Sequence, residues 1–374
     1  MNVARSPYNI EVDLTGVTGI TGSKVELFIW NTGSQPASPQ YTLSKLIPAS
    51  NNLKMYYNIS PYVREYFTFT NWANGGTEPY NNYDTDISTN FKANVVFKTY
   101  KKLTDGTYTL LSTSSELDFM DGYNYYMQGF NTISSTVFLS EGTYFYNHDS
   151  GQLNTVVTNM AGSFDVDLSA SDAIRYTNLV TGAVHTVTAS ASGIKTFSRV
   201  YLPNLSQGNK VEFLGGGSAV RWTGTFIPQC EPKYSPVAVD FINRFGSWSR
   251  IFFQKAKTRN IEVKADSYKV NPSVLPYAPT NEGQVREFNK NGKETIKLNT
   301  GFVNDLYGEY IQELLLSEKV MLYDPEQEDG LNAAAYTPVI PKDKSLLKQK
   351  GINDGTINYT LSFDFAYDVI SNVV

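Results

Sequence analysis

Along most of this chain apolar and polar residues alternate with a period of two, and short clusters of Gly, Asn, Asp and Ser break the alternation every few residues. That pattern suits strands with one buried face and leaves little room for a helical bundle. Residues 24–30 (KVELFIW) are β-branched and aromatic, and Asn31-Thr32-Gly33-Ser34 ends them. Residues 91–100 (FKANVVFKTY) and 107–111 flank Leu103-Thr104-Asp105-Gly106. The Asp-Gly pair predicts a type I′ hairpin, whose two central residues need positive φ. Further strands are predicted at 136–139, 142–146, 155–158, 164–168, 184–187, 196–202 and 210–214. Turn residues punctuate them at the short spacing of a sandwich.

From Ser235 onward the text changes. Strands are predicted at 237–243 and 250–255, around Arg244-Phe245-Gly246-Ser247-Trp248, then at 260–270 and 294–298. Val303, Leu306, Tyr307, Tyr310, Ile311, Leu314 and Leu315 recur at three-and-four spacing, which predicts an amphipathic helix over 303–316. Asn299 or Thr300 is placed to cap it, with Asp305 in its first turn. A strand at 319–323, a turn at 324–330 and a closing strand at 357–367 follow. Ile357, Tyr359, Leu361, Phe363 and Phe365 share one face of that last strand. The expected fold is mainly β: β-sandwich-like modules at 1–126 and 127–229, and a β-rich module at 230–374 that carries the helix. Residues 71–90 lack periodicity and read as a long exposed loop, Gly215–Ser218 as a flexible point, and residues 228–232 as a boundary.

Composition narrows the function. The chain has 26 Tyr but two His and one Cys. His and Cys are the side chains that most readily move protons, attack electrophiles or hold transition metals near neutral pH. Tyr suits half-wet surfaces and interfaces. Charged residues are 18%, so the polar surface can be covered by neighbours at modest desolvation cost. Net charge is −5 with Lys and Arg scattered, which argues against nucleic acid. Cys230 has no partner for a disulfide, the first residues lack a signal-peptide core, and no stretch approaches a membrane span.

No constellation singles out a reaction. His148-Asp149-Ser150 is adjacent in sequence, whereas triads are assembled in space, so a hairpin tip is expected there. His185 lies in an alternating strand. Asp84 with Asp86, Asp165 with Asp167, and Asp324, Glu326, Glu328 and Asp329 are possible cation ligands. The last group departs from a calcium loop at Asp329 and Ala335, and a solvated turn is expected. No cofactor and no metal is expected. Carboxylate-only glycan hydrolysis stays open in principle, although no pair stands out.

Aromatic density marks the interface candidates. These are Tyr56, Tyr57, Tyr62 and Tyr66, then Trp72 in the 71–90 segment, then Tyr123, Tyr125 and Tyr126. They suit cross-strand pairs in a core, protein contacts or sugar stacking alike. Gly246 and Trp248 are expected to form and anchor a turn, and Leu314 to seat the helix on the closing strand.

The third segment carries a resemblance. PVAVDFINRFGSW at 236–248, KLNTGF at 297–302, LLLSEKV at 314–320, NDGTINYT at 353–360 and the opening SPY at 6–8 resemble virion structural proteins of phages that infect Bacteroidetes, crAss-like phages included. The likeness is carried by 230–374 and is thin elsewhere. It implies a non-enzymatic tail or neck component, one of the proteins stacked as rings around the tail. Such a protein contacts copies of itself in a closed ring and other tail proteins, and is assembled in the host cytoplasm. The alternatives are a tail adhesin that binds a host glycan through Tyr and Trp, and a glycan-degrading tail enzyme.

Overall fold

The computed structural model describes residues 1–48, 52–67, 85–86, 91–131, 163–189, 191–198, 208–216, 218–226, 234, 236–270, 283–304, 307–324, 336–347 and 356–370. The fold is mainly β, with several sheets and two α-helices among the described residues. Contacts divide it into two compact units, Met1–Glu231 with Phe241–Arg250, and Pro232–Asp240 with Ile251–Val374.

In the first unit the strands are β1 (Asn2–Val3), β2 (Asn9–Asp13), β3 (Ile20–Trp30), β4 (Tyr41–Leu46), β5 (Lys54–Asn58), β6 (Thr85–Asp86), β7 (Lys92–Leu103), β8 (Tyr108–Thr113) and β9 (Leu117–Met120). A short helix α1 (Ser60–Arg64) follows β5. One sheet runs β1-β9-β7-β3-β4 with β8 on β7, and β2 with β5 forms a separate ribbon. Val25, Leu27 and Ile29 alternate inward from β3, Ala93 and Val95 from β7, Ile10 and Val12 from β2, and Met55 and Tyr57 from β5. These side chains form one cluster between sheet and ribbon, as a sandwich requires.

The Asp-Gly turn departs from expectation. Gly106 has φ +87, but Asp105 is not among the positive-φ residues. Gly106 N donates to Leu103 O and Leu103 N to Thr107 O. This is a type I turn closed by a glycine bulge, not type I′. Asp105 stays in the right-handed region because its carboxylate accepts from Thr107 N at 2.9 Å.

The same unit continues with β10 (Ser163–Leu168), β11 (Ala173–Asn178), β12 (Val184–Thr188), β13 (Gly193–Ser198), β14 (Asn209–Gly215) and β15 (Ala219–Phe226). They form two sheets, β10-β13-β6 and β12-β11-β14-β15. Thr85 and Asp86, expected in a loop, pair with Thr196 and Lys195. The rest of 71–90 lies outside the described residues, as do the strands expected at 136–158, His148 to Ser150 and Cys230. Gly215 and Gly216 are held in the β14–β15 turn, where Gly216 N donates to Asp172 Oδ1 and Arg221 reaches the same carboxylate.

The remaining strands are β16 (Val237–Ile242), β17 (Trp248–Phe253), β18 (Thr258–Lys269), β19 (Val285–Asn304), β20 (Val320–Tyr323), β21 (Thr337–Pro341) and β22 (Thr356–Asp368). They make a seven-stranded sheet in the order β17-β16-β20-β21-β22-β19-β18. Ile357, Tyr359, Leu361, Phe363 and Phe365 are all buried, so the closing strand presents the single apolar face its alternation foretells.

The second helix, α2, spans Tyr307–Leu316 rather than 303–316. Val303 instead pairs with Ile357 at the end of β19. Asn299 and Thr300 belong to the same strand and cap nothing. Thr300 is buried and its Oγ1 accepts from Tyr359 N at 3.1 Å, while Asn299 Oδ1 accepts from Gly301 N. The apolar residues at 296, 298 and 303 satisfy the sheet, and cross-strand pairing overrides the helical spacing. Within α2, Ile311 and Leu314 are fully buried. A Cβ on Gly308 would lie 2.7 Å from the Tyr359 hydroxyl, so the helix packs directly on β22.

Candidate interaction surface

β19 is 20 residues long. It pairs with β22 from Asn304 back to Lys293, and with β18 from Lys297 to Val285. Beyond Lys293 it therefore has β18 as its only strand partner among the described residues, and the two continue as an arm. β18 is an edge of the sheet, and all ten of its residues from Asn260 on are exposed.

The root of this arm is clamped. Asp324, fully buried, accepts from Lys257 Nζ at 2.6 Å and Arg259 at 3.1 Å. Its surroundings correct the expected solvated turn at 324: Lys257, just before β18, and Arg259, within it, compensate its burial. Arg259 also pairs with Glu294 at 3.3 Å and lies 5.7 Å from the Phe365 ring centroid. On the other face Asp364 accepts from Thr295 Oγ1, with Lys293 and Lys342 nearby. Burial disfavours its charge, but the hydroxyl and the two lysines outweigh this and hold its carboxyl below the ordinary value.

Past the root the side chains on the core face become exposed. Arg259, Ile261 and Val263 lie opposite Ile296, Glu294 and Gly292, so all share one side of the sheet. Along that side Ile296 is 0% exposed, while Ile261 is 57%, Val263 63% and Val369 50% exposed. Gly292 lies between them: its Cβ position is 3.2 Å from Ile261 Cγ2 and 3.3 Å from Val369 Cγ2. The three aliphatic side chains thus form one bare patch around a glycine. Further out, on the opposite face, Tyr268 and Phe288 pack edge to face at 5.6 Å, both about half exposed, while Val285, paired with Lys269, is exposed on the Val263 side.

The ladder has one irregularity. Lys264 pairs with Asn291 but Asp266 with Phe288, which leaves the extra residue in β19, where Asn289 has φ +50. The extra residue is on the inner strand, and β18 keeps its alternation from 258 to 269 without an inserted residue. A long, regular edge with exposed aliphatic residues is what soluble proteins ordinarily avoid, because its unpaired N–H and C=O groups template pairing with another chain. Here it is built, and no strand among the described residues pairs with it.

The residues singled out from sequence do not form one site. Tyr57 is buried, its hydroxyl donating to Ser23 O and sharing a hydrogen bond with Ser23 Oγ. Tyr56, on the opposite face of β5, is exposed, and the Glu11 carboxylate it bonds raises its phenol pKa. Tyr62 and Tyr66 are half-buried, Tyr62 against Tyr41 at 4.9 Å. Tyr123 and Tyr125 pack edge to face at 5.9 Å, with Arg5 over the Tyr123 ring. Tyr126 is 96% exposed and heads a knob with Met127 and Phe130. Trp72 lies outside the described residues.

Gly246 and Trp248 belong to the β16–β17 turn. Gly246 has φ +86, and a Cβ there would stand 2.7 Å from Asp121 N. Trp248 is 7% exposed and Leu314 fully buried. Tyr123 N donates to Arg244 O, which brings the aromatic run to this turn. Asn243 Oδ1 accepts from Phe245 N and Ser247 N and fixes the loop.

Nothing in the sequence alone marks Ile261, Val263, Phe288 and Val369 as surface residues. Alternation over 259–263 says that one face is apolar; it does not say where the cover stops. Among the described residues no three or more of His, Cys, Asp and Glu are grouped to hold a metal. No helix of the described residues is long and apolar enough to cross a membrane. His185 is exposed on β12, opposite Tyr176. Comparison with family models, curated proteins and solved structures found no match to this chain.

Proposed function

We propose that this chain is a structural protein of a phage virion, a ring-forming component of the tail or neck that works through protein contacts and turns over no substrate. The observation that carries the reading is the bare β18–β19 arm, whose apolar face and free edge are organised to meet another chain. The likeness of 230–374 to virion proteins falls on the sheet that bears the arm. The many tyrosines split between core and surface, as expected of a protein that packs against neighbours over wide areas.

Negative-stain electron microscopy and sedimentation of the purified full chain test it. Closed rings are expected, with each subunit burying about 1,000 Å² or more in total. A chain that stays monomeric at high concentration overturns the reading, as does hydrolysis of capsular polysaccharide or peptidoglycan that disappears on changing one carboxylate to its amide. A second reading, a tail adhesin, is favoured by the knob of Tyr126, Met127 and Phe130. Its test is glycan-array binding that Tyr126→Ala abolishes.

A further inference from the structure

We propose that the partner of the β18 edge is the same edge of a second copy of this chain, paired antiparallel about a two-fold axis through Val263. The inference rests on the reading that the arm is a contact surface, and not on the ring. At the other end of the sheet β17 is buried along its whole length, so β18 is the edge on offer. Its sequence, TRNIEVKADSYK, is complementary to itself in that register.

With Val263 on the axis, Glu262 faces the partner's Lys264 and Lys264 faces the partner's Glu262. Val263 meets the partner's Val263, and Ile261 meets the partner's Ala265 on the same side. Asn260 faces the partner's Asp266, Arg259 the partner's Ser267, and Thr258 the partner's Tyr268. No like charges meet from 258 to 268. Directly opposed side chains are the unit of sheet stabilisation, and like charges there destabilise.

Neighbouring registers fit less well. Moving the axis to Lys264 sets that lysine against itself and Glu262 against the partner's Asp266. Moving it to Ala265 faces Ile261 with the partner's Lys269 and Val263 with the partner's Ser267. The unbroken alternation of β18 allows the pairing, because the extra residue and Asn289 lie on β19. The contact satisfies the free backbone groups of both edges and joins the two patches of Ile261 and Val263 side by side. It is isologous, so it is independent of the heterologous contacts that close a ring, and with them it would join rings in pairs.

Sedimentation equilibrium of the full chain decides the matter, with far-UV circular dichroism confirming that each variant is folded. Wild type should self-associate. Glu262→Lys and Lys264→Glu should each weaken that association about tenfold or more, since each turns two attractive pairs into repulsive ones. An equimolar mixture of the two variants should recover it, because the mixed dimer again opposes unlike charges at both flanking positions. A mixture no stronger than either variant alone overturns the proposal.

Register is read by oxidative cross-linking in a Cys230→Ser background. Val263→Cys should cross-link to itself, opposed Cα atoms in a sheet being about 4.5–5.5 Å apart and within disulfide reach. Preferential cross-linking of Ala265→Cys overturns the register. Closed rings of unchanged mass in every variant refute this contact and leave the ring reading standing. A charge-dependent dimer with no larger species does the reverse.

Discussion

The two edges of the seven-stranded sheet solve opposite problems. β17, WSRIFF, is buried in all six positions, with Ile251 and Phe253 at 0% exposure. β18 carries charges at alternate positions and is exposed along nearly all its length. Both sit at the end of one ladder, yet one is continuous with the core and the other leaves it. The difference teaches that edge position alone does not set a strand's chemistry. A buried edge can carry large apolar side chains on both faces, here with Ser249 and Arg250 buried among them, whereas the open edge alternates charge with aliphatic residues. Charge keeps such an edge soluble and, where its signs alternate, also selects what may pair with it.

This comparison can be broken by substitution. Phe253→Ala should cost about 3–5 kcal/mol in denaturant unfolding, since it removes a fully buried ring that packs on Phe363 at 5.9 Å. Leu314→Ala, in the helix that covers the sheet, should cost about 2–5 kcal/mol. At the turn leading into β17, Gly246→Ala should cost about 1–3 kcal/mol, because it forces a positive φ on a residue whose Cβ meets the Asp121 backbone. Small effects for these three would mean that the buried edge is not a core element.

On the open side the effects should be small. Asp364 has a folded pKa below its unfolded value, so its contribution is present above about pH 4 and is lost as pH falls through the folded pKa. The melting temperature should therefore drop in acid, and Asp364→Asn should flatten part of that drop, worth no more than about 1 kcal/mol. Val263→Ala should shift monomer stability by about 0.5 kcal/mol or less. A larger loss would mean that Val263 is covered within its own chain.

Much of the fold could be read from the residues. The face of Ile357 to Phe365 follows from alternation, because a pleat has a period of two whatever surrounds it, and the strand at 24–30 follows from its β-branched and aromatic residues. The start of α2 could not be read, because Val303 fits a helical stripe and a strand face equally and only its partner Ile357 decides. The Asp-Gly turn was legible as a turn but not as a type, since the Asp105 side chain stabilises the right-handed conformation locally. The interaction surface was the least legible part. Ile261 and Val263 look like core residues in sequence, and their exposure follows from where β22 ends relative to β19, a long-range fact.

The pairing of β1 with β9 has a consequence in time. Asn2 and Val3 lie parallel to Phe119 and Met120. A translating ribosome makes the first strand well before its partner, on the order of ten seconds at ordinary elongation rates. During that interval Val3 and Ala4, both buried in the finished unit, have no sheet to enter. Closing so long a loop comes late in folding. β1 is thus made ahead of the strand that seats it and is placed late, and slowed elongation between β1 and β9 would lengthen the period in which it can be captured by something else.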